Sequence, residues 1–196
     1  MIEYQRSGRN KKTVINRSYI SNGEFRNKFD KITDNMIVSR VLFNKAKEML
    51  IHRSGTRYED MYWIDGDTGE IIAGILDAAT EEEIVYTSSV VKKMYGRKHI
   101  IAMHTHPNSM PPSIPDFNSF YEHSYDKGIV VCHDGKVFTY TSRQIVRESL
   151  FDLMIAEYYD EHYNESVNTK QFEFEAQLHV LNEIARSYDI DFKEVD

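Results

Sequence analysis

The chain has 196 residues, of which 41% are hydrophobic and 12% aromatic, and its net charge is −7 at pH 7. This size and composition suit one compact domain with a sizeable core and exclude a disordered chain. From Gln144 onward, 4 Lys and Arg stand against 13 Asp and Glu, whereas the first 143 residues carry the other 20 Lys and Arg and 18 Asp and Glu. A near-neutral body with an acidic tail is not the basic footprint of a nucleic-acid-binding protein.

Cysteine usage and hydropathy indicate where the protein resides. The single cysteine, Cys132, excludes an internal disulfide, and its apolar neighbours predict a buried side chain rather than a nucleophile. No apolar stretch follows the basic N-terminus, and no segment approaches the length of a membrane-spanning helix. We therefore expect a cytoplasmic protein without a membrane or nucleic-acid partner.

The first half of the chain predicts an arm, a helix and a β-hairpin. Residues 1–35 are polar with scattered aromatic side chains, which indicates a basic N-terminal arm. Apolar residues at near-helical spacing predict a helix over 35–52. An aromatic segment at 58–64 and an apolar segment at 71–76 flank the turn-forming sequence DGDTG, a pattern that predicts a hairpin.

The second half predicts short strands and helices. Acidic residues at one end and lysines at the other predict a helix over 81–95. A nearly continuous apolar run at 99–103 predicts a buried strand, and two more strands are predicted at 128–132 and 137–141, around the turn HDGK. A short helix is predicted between the first two of these strands, over about 116–125.

Two apolar stripes at helical spacing predict a pair of amphipathic helices in the acidic tail. Strands and helices mix without strict β-α-β alternation, which favours an α+β fold with a mixed sheet flanked by helices. We expect an N-terminal arm at 1–35, a central domain at 36–143 and a C-terminal acidic helical extension at 144–196.

The stretch HTHPNSMPPSIPD, residues 104–116, contains every proline of the chain beside a His-x-His pair. His104 and His106 are two residues apart at the end of a predicted strand, so their imidazoles point to the same face. Imidazole is a favoured zinc donor, and catalytic zinc sites typically use three protein ligands and a water molecule. Asp116 can be the third ligand if the loop turns the chain back, and proline restricts a loop to few conformations.

The same residues also fit a purely structural role. Ser113, Pro115 and Asp116 have the spacing of a helix N-terminus, with a serine cap, a proline in the first turn and an acid three residues after the serine. The two interpretations are compatible, because a capped helix would also fix the direction of the Asp116 side chain.

His-x-His-Pro, a short loop and Ser-x-x-Asp together resemble the signature of the JAMM (JAB/MPN+) zinc metalloproteases, which include isopeptidases and peptidases acting on ubiquitin-like tails. The order of the predicted elements over 38–143 is similar to that family's domain. The resemblance implies a JAB/MPN-like fold and one Zn²⁺ per chain, held by His104, His106 and Asp116. It also implies that the Ser113 hydroxyl stabilises the oxyanion.

The resemblance further implies a glutamate general base on an earlier strand, for which Glu59 is the best match. Alternation sends Glu59 and Asp60 to opposite faces, so only one of them can serve. Glu70 and residues 81–83 are at a turn or a helix start, where solvated or capping roles are expected. The implied reaction is cleavage of a peptide or isopeptide bond of a protein or peptide, such as a ubiquitin-like one, by metal-activated water.

Two other functions stay open. RadC-type proteins, which are linked to DNA repair or mobile elements, share the His-x-His-Pro and Ser-x-x-Asp pattern. A non-catalytic interaction module could instead use the arm and the tail as docking surfaces. The remaining histidines have no ligand partner at a suitable spacing, and we expect surface or supporting roles for them: His52, His99, His123, His133, His162 and His179.

Overall fold

Within residues 13–163 and 169–196, which the computed structural model describes, a six-stranded mixed sheet lies at the centre of the protein in the order β2-β1-β3-β4-β5-β6. The strands are β1 (Met61–Asp65), β2 (Ile71–Ile75), β3 (Ile100–His106), β4 (Lys127–Cys132), β5 (Val137–Ser142) and β6 (Ile190–Glu194). The helices are α1 (Gly23–Asp30), α2 (Met36–Arg53), α3 (Ser88–Met94), α4 (Ile114–Glu122), α5 (Glu148–His162) and α6 (Thr169–Ser187), with a 3-10 turn at Tyr19–Ser21. Strands β3 and β4 run parallel, and the other neighbours in the sheet run antiparallel. The predicted α+β class with a mixed sheet is confirmed.

Alternation along the strands builds a hydrophobic layer on each face of the sheet. Ile101 and Met103 of β3 pack with α1 and α2 on one face, where Leu42 is fully buried. Ile100 and Ala102 lie in the other layer, which α3, α4 and α6 cover. Every residue of β3 is buried. The two layers together fix the register of β3, because a slip of one residue would exchange its faces.

The helix predicted over 35–52 is confirmed as α2. Asn35 caps it, since its side-chain oxygen accepts hydrogen bonds from the backbone N–H groups of Ile37 and Val38 at 3.0 and 3.3 Å. Part of the predicted N-terminal arm also packs against this helix: Phe25 and Phe29 of α1 are fully buried in the same hydrophobic layer. Residues 1–12 of that arm lie outside the described residues.

The helix predicted over 81–95 is wrong in its first half, because α3 begins only at Ser88. Thr87 has extended backbone angles, and its side chain caps α3 by accepting from the N–H of Val90 at 3.3 Å. The preceding residues include Ile84 and Val85, whose β-branched side chains disfavour a helix. Residues 81–86 have no helical or strand assignment.

The predicted pair of tail helices is confirmed as α5 and α6. Val180, Leu181 and Ile184 of α6 are buried beneath the sheet. Strand β6, which the sequence pattern does not predict, follows α6 and pairs antiparallel with β5, so that Phe192 lies opposite Tyr140. In the described ranges, none of the helices combines the length and apolar character that crossing a bilayer requires.

Candidate metal centre

The end of β3 and the first turn of α4 bring His104, His106 and Asp116 together. The Nε2 atoms of the two histidines are 3.0 Å apart. Asp116 Oδ1 lies 3.1 Å from His104 Nε2, and Asp116 Oδ2 lies 3.4 Å from His106 Nε2. The three side chains proposed from the spacing of the motif therefore converge on one point.

The loop between β3 and α4 is packed rather than solvated. Pro107, Pro111 and Pro112 are buried. Ser109 takes up a left-handed conformation (φ 62°), and its hydroxyl accepts a hydrogen bond at 3.1 Å from the N–H of Asp134, in the turn between β4 and β5. The loop is thus attached to the neighbouring turn, and it returns the chain to the histidines in one conformation.

Ser113 orients the carboxylate of Asp116. Asp116 Oδ2 accepts hydrogen bonds from both the backbone N–H and the hydroxyl of Ser113, each at 2.7 Å. Ser113 is the N-cap of α4, with Asp116 at the third helical position. The predicted capping role is thus present, and it leaves Asp116 Oδ1 facing His104, so that it is compatible with the ligand role.

Glu59 and Asp60 leave the chain on opposite sides, just before β1. Glu59 is 7% exposed, and its carboxylate has an oxygen within 4.8 Å of a ring nitrogen of both His104 and His106. In the described part of the chain it has no hydrogen-bond partner. Asp60 is fully buried on the other side, where it pairs with Arg53 and with His52.

The three acid-base groups of the centre influence one another's protonation. Burial raises the pKa of Glu59, an effect that the nearby His106 and His104 partly offset. Burial alone would lower the pKa of His106, but its hydrogen bond to Asp116 and the negative charge there raise it to about 9. Burial would raise the pKa of Asp116, but the two imidazoles hold it well below its usual range. Without a metal, His106 therefore binds its second proton more tightly than a free imidazole does.

The donor set fits a divalent metal. His106 Nδ1 lies 3.0 Å from the carbonyl oxygen of Met110, which can only accept, so Nδ1 carries a proton and leaves the Nε2 lone pair for a ligand. Ligand atoms about 2.0–2.2 Å from a tetrahedral ion lie about 3.3–3.6 Å apart, close to the separations seen here. Glu59, His104 and His106 are buried and could hold a metal ion together.

The centre opens into a cleft of about 570 Å³. Its apolar and aromatic lining comes from several elements: Met61, Ile84, Tyr86, Pro115 and Tyr140. The non-helical residues 81–83 contribute three glutamates to the same lining. Their sequence pattern instead predicts a helix start, without any connection to the metal centre.

The other single-residue expectations have mixed outcomes. Cys132 is buried as predicted, and burial raises the pKa of its thiol well above the usual value. His133 is only 2% exposed, which differs from a surface role, and its Nδ1 donates to the carbonyl of Thr13 at 2.7 Å. His123 stacks on Tyr86, which lines the cleft, at 4.9 Å between ring centroids. His52 supports Asp60 rather than the cleft.

Comparisons of the chain with models of known protein families, with curated proteins and with solved structures found no significant match. Fold and site by themselves define an α+β protein in which buried side chains that could hold a metal ion lie at the base of a cleft beside the central sheet.

Proposed function

We propose that the protein is a zinc-dependent hydrolase of the JAMM type, which cleaves a peptide or isopeptide bond in a protein or peptide substrate. The observation that carries the proposal is the convergence of His104, His106 and Asp116, with ligand atoms 3.0 to 3.4 Å apart, beside the unpartnered carboxylate of Glu59. The resemblance of the His-x-His-Pro and Ser-x-x-Asp motifs to that family supports the same reading.

His104, His106 and Asp116 would hold the ion. Two imidazole nitrogens and one carboxylate oxygen are a donor set that suits zinc, and three protein ligands leave a position for a water molecule. When bound, zinc supplies Lewis-acid activation of water and of a carbonyl group. The cleft leaves room for a substrate next to this position.

Glu59 would act as general base and then as general acid. Its buried carboxylate faces the histidines, so it can accept a proton from the attacking water and deliver it to the leaving nitrogen. The raised pKa of Glu59 suits both steps, because a carboxylate that binds a proton more tightly is a stronger base.

Ser113 would act at two stages. Its hydroxyl donates to Asp116 and lines the cleft, so in the resting protein it holds a metal ligand in place. A rotation about its Cα–Cβ bond would allow the same hydroxyl to donate to the oxyanion that forms when water adds to the carbonyl. Such a donor contributes about 3 kcal/mol to transition-state stabilisation in comparable enzymes.

Metal analysis tests the ligand assignment. The purified protein is expected to bind about one zinc per chain, and the double variant His104→Ala, His106→Ala is expected to bind none. The matched control is His162→Ala, His179→Ala, which removes two histidines whose side chains are each 51% exposed. Full zinc content in the first variant would defeat the proposal.

Turnover tests the catalytic assignment. A panel of peptides and lysine-linked isopeptides is offered to the zinc-loaded protein and to Glu59→Gln. We expect Glu59→Gln to retain zinc and to lose turnover by about 10²–10⁴-fold. The control Glu157→Gln removes an exposed carboxylate on α5 and should be fully active. Unchanged turnover in Glu59→Gln would reject the general base.

A further inference from the structure

Residues 77–87, here called the strap, run from β2 to α3 beside the metal centre. The strap is fixed at its middle and near its C-terminal end: the N–H of Glu82 donates to the carbonyl of Arg57 at 2.9 Å, and the Tyr86 hydroxyl bonds with Ser119 Oγ at 2.8 Å and with the Tyr125 hydroxyl at 3.0 Å. Because these contacts hold the strap against the cleft, its side chains form one wall of the space above the centre.

The strap gives this wall a negative charge. Glu81, Glu82 and Glu83 all line the cleft, and no lysine or arginine is among the described residues that line it. Arg57 pairs with Glu82 at 2.8 Å and lies 3.5 Å from Glu81. Glu83 has no ion-pair partner in the described ranges. Three carboxylates against one guanidinium leave an excess of two negative charges.

Two further features of the cleft point to a ligand with a cationic group. The buried Glu59 carboxylate has no hydrogen-bond partner among the described residues and faces the same space, which indicates that a ligand binds in the cleft. Ile84, Met61 and Tyr86 provide apolar and aromatic surface beside the acids. A lysine or arginine side chain matches this pairing, because its aliphatic stem packs on apolar surface while its charged end meets carboxylates or an aromatic face.

We propose that the cleft selects peptide segments that carry a lysine or arginine side chain, whose charged group pairs with the carboxylates of Glu81 and Glu83. This inference rests on the proposed function, since it names the substrate class of that site. It concerns binding rather than cleavage, so it can be tested without turnover.

The test compares two fluorescein-labelled peptides that differ only in one central residue, lysine or acetyl-lysine. Acetyl-lysine keeps the stem and removes the charge. Anisotropy titrations use the zinc-loaded full chain carrying Glu59→Gln, which prevents cleavage. We expect the lysine peptide to bind about fivefold more tightly at low salt, the scale that two exposed ion pairs provide. The ratio should fall below about twofold at 1 M salt because of screening.

Two matched double variants identify the source of the preference. Glu81→Gln, Glu83→Gln should abolish it, whereas Glu157→Gln, Glu161→Gln removes the same charge from exposed positions on α5 and should leave it intact. Equal affinities for the two peptides, no measurable binding of either, or a preference that survives in the first variant would overturn the inference. A lysine preference without any cleavage would refute only the proposed hydrolase activity. Cleavage without the lysine preference would refute only the inference about the substrate.

Discussion

Arg53 and Asp60 form an ion pair in which both side chains are completely buried, between the last turn of α2 and the residue before β1. The Nε of Arg53 donates to Asp60 Oδ1, whereas its Nη1 and Nη2 atoms are buried without a hydrogen-bond partner in the described part of the chain. Asp60 is held further by the Thr105 hydroxyl, which accepts from its backbone N–H at 3.1 Å. Since Glu59 is the adjacent residue, this pair fixes the backbone from which the Glu59 carboxylate projects.

Removing one member of this pair should destabilise the fold strongly. Asp60→Asn leaves the Arg53 guanidinium as an uncompensated buried charge, and we expect it to lower the free energy of unfolding by about 3–5 kcal/mol. Urea unfolding followed by Trp63 fluorescence measures the change. Glu70→Gln is the control, because it breaks the exposed pair with Arg97 and should cost far less. Similar costs for the two variants would show that the buried pair does not stabilise the protein.

Ser113→Ala should weaken metal binding without removing any ligand. The variant loses the hydroxyl that donates to Asp116 Oδ2 at 2.7 Å, so only the backbone N–H of Ser113 still holds the carboxylate in its orientation towards His104. Losses of this kind typically reduce metal affinity about 10–100-fold, and competition with a chromophoric chelator measures the affinity. Ser119→Ala, whose hydroxyl instead contacts Tyr86, should change the affinity much less. An unaltered zinc affinity in Ser113→Ala would refute the positioning role.

Gly128→Ala should disturb the sheet beneath the metal centre. A Cβ at Gly128 would lie 2.3 Å from the Tyr140 ring, and that ring packs edge-on against His104 at 6.4 Å between centroids. Overpacking of this sort costs about 1–3 kcal/mol of folding free energy. Gly23→Ala is the matched control, since a Cβ there meets no atom within 4 Å. Thermal unfolding of the two variants should therefore differ clearly, and equal melting temperatures would contradict the tight packing.

The metal-free protein should become less stable in mildly alkaline solution. The pKa of His106 is raised in the folded state to about 9 from an ordinary value of 6.5, so protonated His106 stabilises the fold fully below pH 6.5. That contribution is lost as the pH rises through 9. From below pH 6.5 to above pH 9 the free energy of unfolding should fall by about 3 kcal/mol. Urea unfolding in the presence of a chelator, at several pH values between 6 and 10, measures it.

His106→Gln provides the comparison for the pH dependence. This variant has no group titrating at that position, so its stability should change less than that of the parent protein over the same range. If parent and variant lose stability in parallel, protonation of His106 does not contribute to the stability of the fold.

The sequence was sufficient to predict the fold and the candidate site wherever the structure depends on residues that are neighbours in the chain. The two histidines share a face because they lie two apart in β3, and Asp116 meets them because Ser113 caps the helix three residues earlier. Helix α2 and strands β4 and β5 carry strong apolar patterns, and their predicted bounds are within about two residues of those observed.

Distant contacts account for what the sequence did not reveal. The acids of the strap resemble a helix start, but their conformation depends on Arg57 and on the Tyr86 hydroxyl contacts, which bring together parts of the chain that are far apart. Strand β6 exists because it pairs with β5, across two intervening helices. No local sequence pattern indicates either feature, so neither the acidic wall of the cleft nor strand β6 could be predicted from the sequence.

The alternation of β3 has an evolutionary consequence. His104 and His106 share a face with Ala102, whereas Met103 lies in the opposite layer with Leu42. Inserting or deleting one codon within this strand would exchange the two faces of the residues that follow the change. The imidazoles would then lie among the aliphatic side chains of α2, and the Met103 side chain would point towards Asp116. Length variation among descendants of this chain should therefore accumulate outside β3, or occur there only in steps of two.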